Sequence, residues 1–219
     1  MNKSEALSEI RALSEENFNS LFTSHSEIKD EVRRNLLYKF IQGEIQIGYN
    51  CAPDLEMFAI KTILPDTYKN LEKNSHPYSS GDLYEYDPAK NGKNIIKHGL
   101  SFSEVVSYST LFGALSVPFP DDQDVERFVM FSDLNSGNDG KNLTMPFGNT
   151  RGILYVLSIV TFRGDKWRFI SSRIMSTDNY KKDMLQAFKD VWGDKKIKES
   201  FVDECIDTLK RNLFQNQDN

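Results

Sequence analysis

Cysteine is almost missing from this chain. Cys51 and Cys205 are its two copies, far apart and without a CxxC partner or a histidine at metal-ligand spacing. Neither a disulfide framework nor a zinc site is indicated, and two buried thiols are expected. Histidine is scarce as well. With only His25, His76 and His98, acid–base chemistry would have to lean on Arg, Lys, Tyr or carboxylates. No apolar run approaches the length that crosses a bilayer, and the start Met1-Asn2-Lys3-Ser4-Glu5 lacks the apolar core of a secretory signal. A cytoplasmic protein with no membrane partner is the expectation. An excess of positive charge is lacking too. With 27 Lys and Arg against 32 Asp and Glu, the formal net charge is -5. Nucleic acid is therefore not attracted by the whole molecule, and any such binding must come from a local patch. Walker A, HExxH, GxSxG and dinucleotide fingerprints are all missing. No metal or cofactor is expected.

What is present is globular in balance. The 219 residues are 39% hydrophobic and 27% charged, enough to bury a core, which excludes wholesale disorder. One principal domain with an extension is the expected organisation. Residues 1 to 80 read as mostly helical. Ser24-His25-Ser26-Glu27 has the spacing of a capping box, and Ile28, Val32, Leu36 and Phe40 follow at four-residue steps before Gly43, which predicts a helix with one apolar face. Leu7 to Phe22 shows a weaker helical pattern. Glu44 to Tyr49 alternates as a short strand would, and Leu55 to Ile63 reads as a further helix ended near Pro65. The turn formers from Asn74 to Gly81 mark a boundary, with a second domain over 81–219.

Beyond that boundary the elements change character. Leu83 to Tyr86 reads as a strand, Pro88 to His98 as a helix closed by Gly99, and Phe102 to Thr110 as a helix capped by Ser101. Ala114 to Val117, Arg127 to Ser132, Ile153 to Phe162 and Trp167 to Arg173 read as strands rich in Val, Ile, Phe and Tyr. Arg163-Gly164-Asp165-Lys166 predicts a tight hairpin between the last two. The polar stretch Asn135 to Asn149 reads as a long loop. Thr177 is placed to cap a helix with Tyr180, Met184, Phe188 and Trp192 on its apolar face, and a last helix carries Ile197, Phe201, Ile206, Leu209 and Leu213. The predicted fold class is α+β, helices on an antiparallel sheet, preceded by a mostly helical segment.

Several short motifs stand in a fixed order: Tyr84-Glu85-Tyr86-Asp87-Pro88; Asn94 and Lys97-His98-Gly99; Ser101, Phe102 and Glu104; Glu126-Arg127-Phe128-Val129; and Arg168-Phe169-Ile170-Ser171 with Arg173. Over roughly half of the chain this order resembles the BrnT family, small RelE-like ribonuclease toxins of bacterial toxin–antitoxin pairs. The resemblance implies a metal-independent endoribonuclease that cleaves RNA, inhibits growth and is neutralised by an antitoxin protein. Arg127, Arg168 and Arg173 are then candidate contacts to phosphate and transition state, because guanidinium stays charged and binds two phosphate oxygens. His98 is a candidate acid or base, and Lys97 and Arg163 add charge for RNA.

Plainer roles remain open for each residue. His98 and Lys97 can simply close a helix, and Arg127 can pair with Glu126, Asp124 or Glu104. Arg168 and Arg173 are an odd number apart, which puts them on opposite faces of a regular strand unless it twists or bulges. Glu85 and Asp87 suit an edge strand guarded against strand addition. Phe128, Trp167 and Phe169 suit either a core or base stacking. Ile174 to Asn179 lacks the basic side chains of the family there. With the net charge and the extension, this motivates the alternative, a catalytically inactive RelE-like module that binds protein. The extension would dock a partner, cover the groove or mediate self-association as a homo-oligomer.

Overall fold

The computed structural model describes residues 1–25, 28–47, 51–74, 79–80, 83–119, 126–135, 153–193 and 197–215. It is an α+β structure. The chain divides into two compact units, Met1–Ser80 with Tyr86–Ser101, and Gly81–Glu85 with Phe102–Asn219. The units break first between Ser80 and Gly81, and the segment 86–101 returns to the helical unit.

The first unit contains α1 (Lys3–Arg11), α2 (Glu15–His25), α3 (Glu31–Gln42), α4 (Ala52–Ile63), α5 (Pro65–Asn74), the two-residue strand β1 (Ser79–Ser80) and α6 (Pro88–His98). Local chemistry sets most of the helix ends. Asn2 and Glu5 form a capping box on α1, and the Asp30 carboxylate accepts the Val32 and Arg33 amides at the start of α3. The expected box at Ser24 to Glu27 lies partly outside the described residues. With α3 starting at Glu31 after its cap Asp30, its buried residues are Leu37 and Ile41, while Val32 is 74% exposed. The four-residue stripe expected there is offset by one position, because the start of the helix fixes which side faces inward. Helix α5 was not expected. Helix α4 ends at Ile63, just before Pro65 as expected, and Pro65 is in turn the first residue of α5, where a missing N–H costs nothing. No strand forms in the described part of the alternating segment, up to Ile47.

Aromatic packing knits this unit. Phe18 stacks on Phe22 at 5.3 Å and Phe22 meets Phe58 of α4 edge-on at 5.2 Å. Helix α6 lies against α4, so closely that a Cβ on Gly92 would overlap the Asp54 carbonyl and the Phe58 Cβ. Asp87 caps α6 through the Ala89 and Lys90 amides, Pro88 stands in the first turn, and Gly99 closes the helix at φ 71°.

The second unit is built on strands β2 (Tyr84–Tyr86, of which Tyr84 and Glu85 belong to this unit), β3 (Leu115–Phe119), β4 (Arg127–Asn135), β5 (Ile153–Arg163) and β6 (Lys166–Met175), with helices α7 (Phe102–Phe112), α8 (Thr177–Trp192) and α9 (Glu199–Gln215). Strand order is β2-β6-β5-β4-β3. The pairs β3/β4, β4/β5 and β5/β6 are antiparallel, as short connections between successive strands favour. The β5–β6 turn is the expected hairpin, with Gly164 at φ 65°.

One sheet face carries Val117, Val129, Phe131 and Leu157 into a core with Tyr180, Met184 and Phe188 of α8 and Val202 and Ile206 of α9. The opposite face packs against α7. Ser176, not Thr177, caps α8 by accepting the Asn179 amide. Trp192, expected in the core stripe, is 49% exposed, since the helix ends there. Of the two thiols expected to be buried, Cys51 is and Cys205 is only partly so. The expected loop over 135–149 lies beyond the described residues after Asn135. Among the described residues no helix is long and apolar enough to cross a membrane.

Candidate nucleic-acid interface

Strand register decides which of the candidate arginines meet. Arg127 of β4 sits opposite Thr161 of β5, and Thr161 opposite Arg168 of β6. Directly opposed residues in a sheet project to the same face, so Arg127, Thr161 and Arg168 form one row. Phe119, opposite Arg127 on β3, extends the row. Thr161 is held by donating its hydroxyl to the Glu126 carbonyl at 2.7 Å. Two residues further toward the hairpin, Arg163 faces Lys166, on the same side as Thr161 by the alternation of the strand. Four cationic side chains thus share one end of one sheet face.

Arg173 joins that face through an irregularity. Between Ile159 and Val160 the register slips, with Ile159 opposite Ser171 and Val160 opposite Phe169. The extra residue, Ile170, is a bulge. It reverses the parity of the rest of β6, so Arg173, opposite Leu157, lies on the same face as Arg168, opposite Thr161. The face is shared but the place is not. Leu157 and Thr161 are four residues apart, about 13 Å along the strand at ~3.3 Å per residue. Arg173 stands beside α8, with its guanidinium 3.4 Å from the Asp183 carboxylate.

Glu85 is the carboxylate within the row. Its Oε1 lies 3.6 Å from Arg168 and 4.0 Å from Arg163, with the Glu85 side chain only 16% exposed and that of Arg168 18%. Glu85 stands on β2, beside β6, and its carboxylate is turned onto the two arginines. Asp87 guards no edge, being the buried cap of α6, with Tyr68 Oη and Lys61 Nζ each 3.1 Å from its carboxylate. Lys97 and His98 lie in the last turn of α6 and belong to the helical unit. Glu85 and Lys166 were both missed from sequence. The Lys166 position was readable, since a two-residue turn at Gly164-Asp165 forces Arg163 and Lys166 to face each other. The Glu85 position was not, because it depends on which strand lies beside β6.

Two further buried carboxyls are structural in their surroundings. Asp133, on β4, accepts the Tyr180 hydroxyl at 3.1 Å, and burial pushes its carboxyl up to about 6 against that bond and the pull of Lys210. Asp54, in the helical unit, accepts the Asn91 amide at 2.6 Å and is pushed by burial to about 6 as well. Among the described residues no group of three His, Cys, Asp or Glu side chains is gathered as a metal ion would require. Phe169 is core, packed on Phe102 at 5.9 Å, and Trp167 lies between Phe128 and Phe162 at 5.2 and 5.0 Å.

The chain is thus an α+β protein with a cationic row on one sheet face. Compared with protein-family models, curated proteins and solved structures, it matches none of them.

Proposed function

We propose that the sheet unit binds the backbone of single-stranded RNA along the Arg127–Thr161–Arg168 row and cleaves it, acting as a BrnT-like, metal-independent endoribonuclease toxin that an antitoxin protein would neutralise. The observation that supports this reading is the gathering of Arg127, Arg163, Lys166 and Arg168 on one end of one face, in a chain whose net charge is negative. In the reaction, a ribose 2′ oxygen attacks the adjacent phosphorus and the bond to the 5′ oxygen breaks, leaving a 2′,3′-cyclic phosphate and a 5′ hydroxyl. Glu85 would take the 2′ proton, and the guanidinium groups of Arg127 and Arg168 would carry the charge that builds on the phosphate. The departing oxygen would take its proton from solvent at the open hairpin end, where the Arg163 side chain is 60% exposed.

The purified chain, incubated with a labelled single-stranded RNA, tests this reading. Cleavage is expected, with Arg127→Ala and Arg168→Ala each slowing it about 100-fold or more. Intact RNA with soluble, folded wild-type protein would end the proposal.

A second reading, an inactive protein-binding module, is favoured by the carboxylates already set against the cations: Glu85 on Arg163 and Arg168, Asp183 on Arg173. Under that reading the arginine variants leave any effect on cell growth unchanged.

A further inference from the structure

The two ends of the arginine row differ in chemistry. At the β2 end stands Glu85, against Arg168. At the β3 end stands Phe119, opposite Arg127 in an unbroken register that runs across β3, β4 and β5. Directly opposed residues share a face. Phe119 is therefore one strand spacing, about 5 Å, from Arg127, and three spacings, about 14 Å, from Arg168.

That end of the face is open. Val117, two residues earlier on the same side of β3, is fully buried in the core with α8 and α9. The same core does not enclose Phe119, which is 42% exposed. An exposed aromatic alone means little, but this one continues a line of cations. Phe162, the other exposed aromatic of the sheet among the described residues, alternates with Thr161 onto the opposite face and meets Trp167 edge-on at 5.0 Å. Nor is the β3 edge suited to take up another strand, since Pro118, beside Phe119, is a residue type that blunts an edge against strand addition.

Taking the row as the RNA contact proposed above, we propose that Phe119 is its base-stacking platform: an unpaired nucleobase of the strand held by Arg127 and Arg168 lies on the Phe119 ring. The stacked base belongs to a nucleotide flanking the cut, because Glu85 and Phe119 stand at opposite ends of the row. Every base has a flat face to offer, so the contact tolerates any sequence. It requires a base that is not paired, and so selects single strands over duplexes.

A labelled single-stranded oligonucleotide with 2′-O-methyl riboses, which cannot be cut by 2′ attack, is the probe. In anisotropy titrations of the full chain, Phe119→Leu is expected to bind it about tenfold more weakly than the wild type. The slope of log affinity against log salt stays unchanged, because no phosphate contact is lost. Phe119→Trp keeps a ring face and is expected to bind at least as tightly as the wild type. Inorganic polyphosphate, which offers phosphates without bases, is expected to bind the wild type and Phe119→Leu alike. Unchanged oligonucleotide affinity in Phe119→Leu, a Phe119→Trp variant as weak as Phe119→Leu, or an equal loss of polyphosphate binding would each overturn the stacking role while leaving the arginine row as an RNA contact. No binding of the oligonucleotide by the wild-type chain would overturn the RNA reading, and the platform with it.

Discussion

Asp133 shows how one side chain couples the fold to pH. Its carboxyl is 4% exposed and stands at about 6 against the ordinary 3.8, chiefly through burial. Below about pH 4 the carboxyl is protonated in folded and unfolded chain alike, and it carries no penalty. Between about 4 and 6 the unfolded chain releases the proton while the folded chain keeps it, so this group makes stability fall as pH rises, and above about 6 the penalty is constant. The full shift corresponds to ~3 kcal/mol, and relaxation around the site reduces this to about 1–2 kcal/mol. Trp167 and Trp192, the chain's two tryptophans, both lie in the sheet unit. Urea unfolding followed by tryptophan fluorescence reports on that unit, and comparing a variant at Asp133 with the wild-type chain cancels Asp54, which titrates in the same range in the helical unit. Asp133→Asn, whose side-chain oxygen can still accept the Tyr180 hydroxyl, is expected to flatten the fall in stability between pH 4 and 6. An unchanged slope in that variant would refute the assignment.

At the scale of elements, local signals read well and non-local ones did not. Pro88 to His98 is bounded as expected because an aspartate, a proline and a glycine write both ends of α6 into the sequence, and β5 and β6 were legible from their β-branched runs and the hairpin between them. The bulge at Ile170 was not. It arises where β6 meets β5, and no composition signal marks it, yet it alone brings Arg173 to the face of Arg168. The close approach of α6 to α4 was equally hidden, since a glycine inside a helix looks like a weakness from sequence alone. Here the missing side chain makes room for the Asp54 backbone. Gly92→Ala should therefore act opposite to helix propensity, which alone would stabilise α6 by about 1 kcal/mol. A loss of about 2–3 kcal/mol is expected from overpacking against a backbone that cannot retreat, measured by denaturation followed through far-ultraviolet circular dichroism. A gain in stability would show that α4 and α6 are farther apart than a missing Cβ requires.

For the whole molecule the question is whether a chain of net charge -5 can hold a polyanion at all. Charge acts over a Debye length of about 8 Å at physiological ionic strength, so an RNA strand lying on the hairpin end responds to Arg127, Arg163, Lys166 and Arg168 more than to acids elsewhere. Three or four phosphates engaged there predict a slope of log affinity against log salt of about -2 to -3 for a single strand. Each of Arg127→Ala and Arg163→Ala should flatten that slope by ~0.7. Glu85 separates holding from cutting. Glu85→Gln removes the negative charge that competes with phosphate for Arg163 and Arg168, and with it the group assigned to take the 2′ proton. Binding of a labelled RNA, measured by fluorescence anisotropy at two salt concentrations, is expected to tighten in this variant while cleavage falls. Tighter binding with unchanged cleavage would keep the row as an RNA contact and remove Glu85 from the chemistry. Binding that is insensitive to salt would instead leave the arginines as partners of Glu85 and Asp183, and the chain as a protein-binding module.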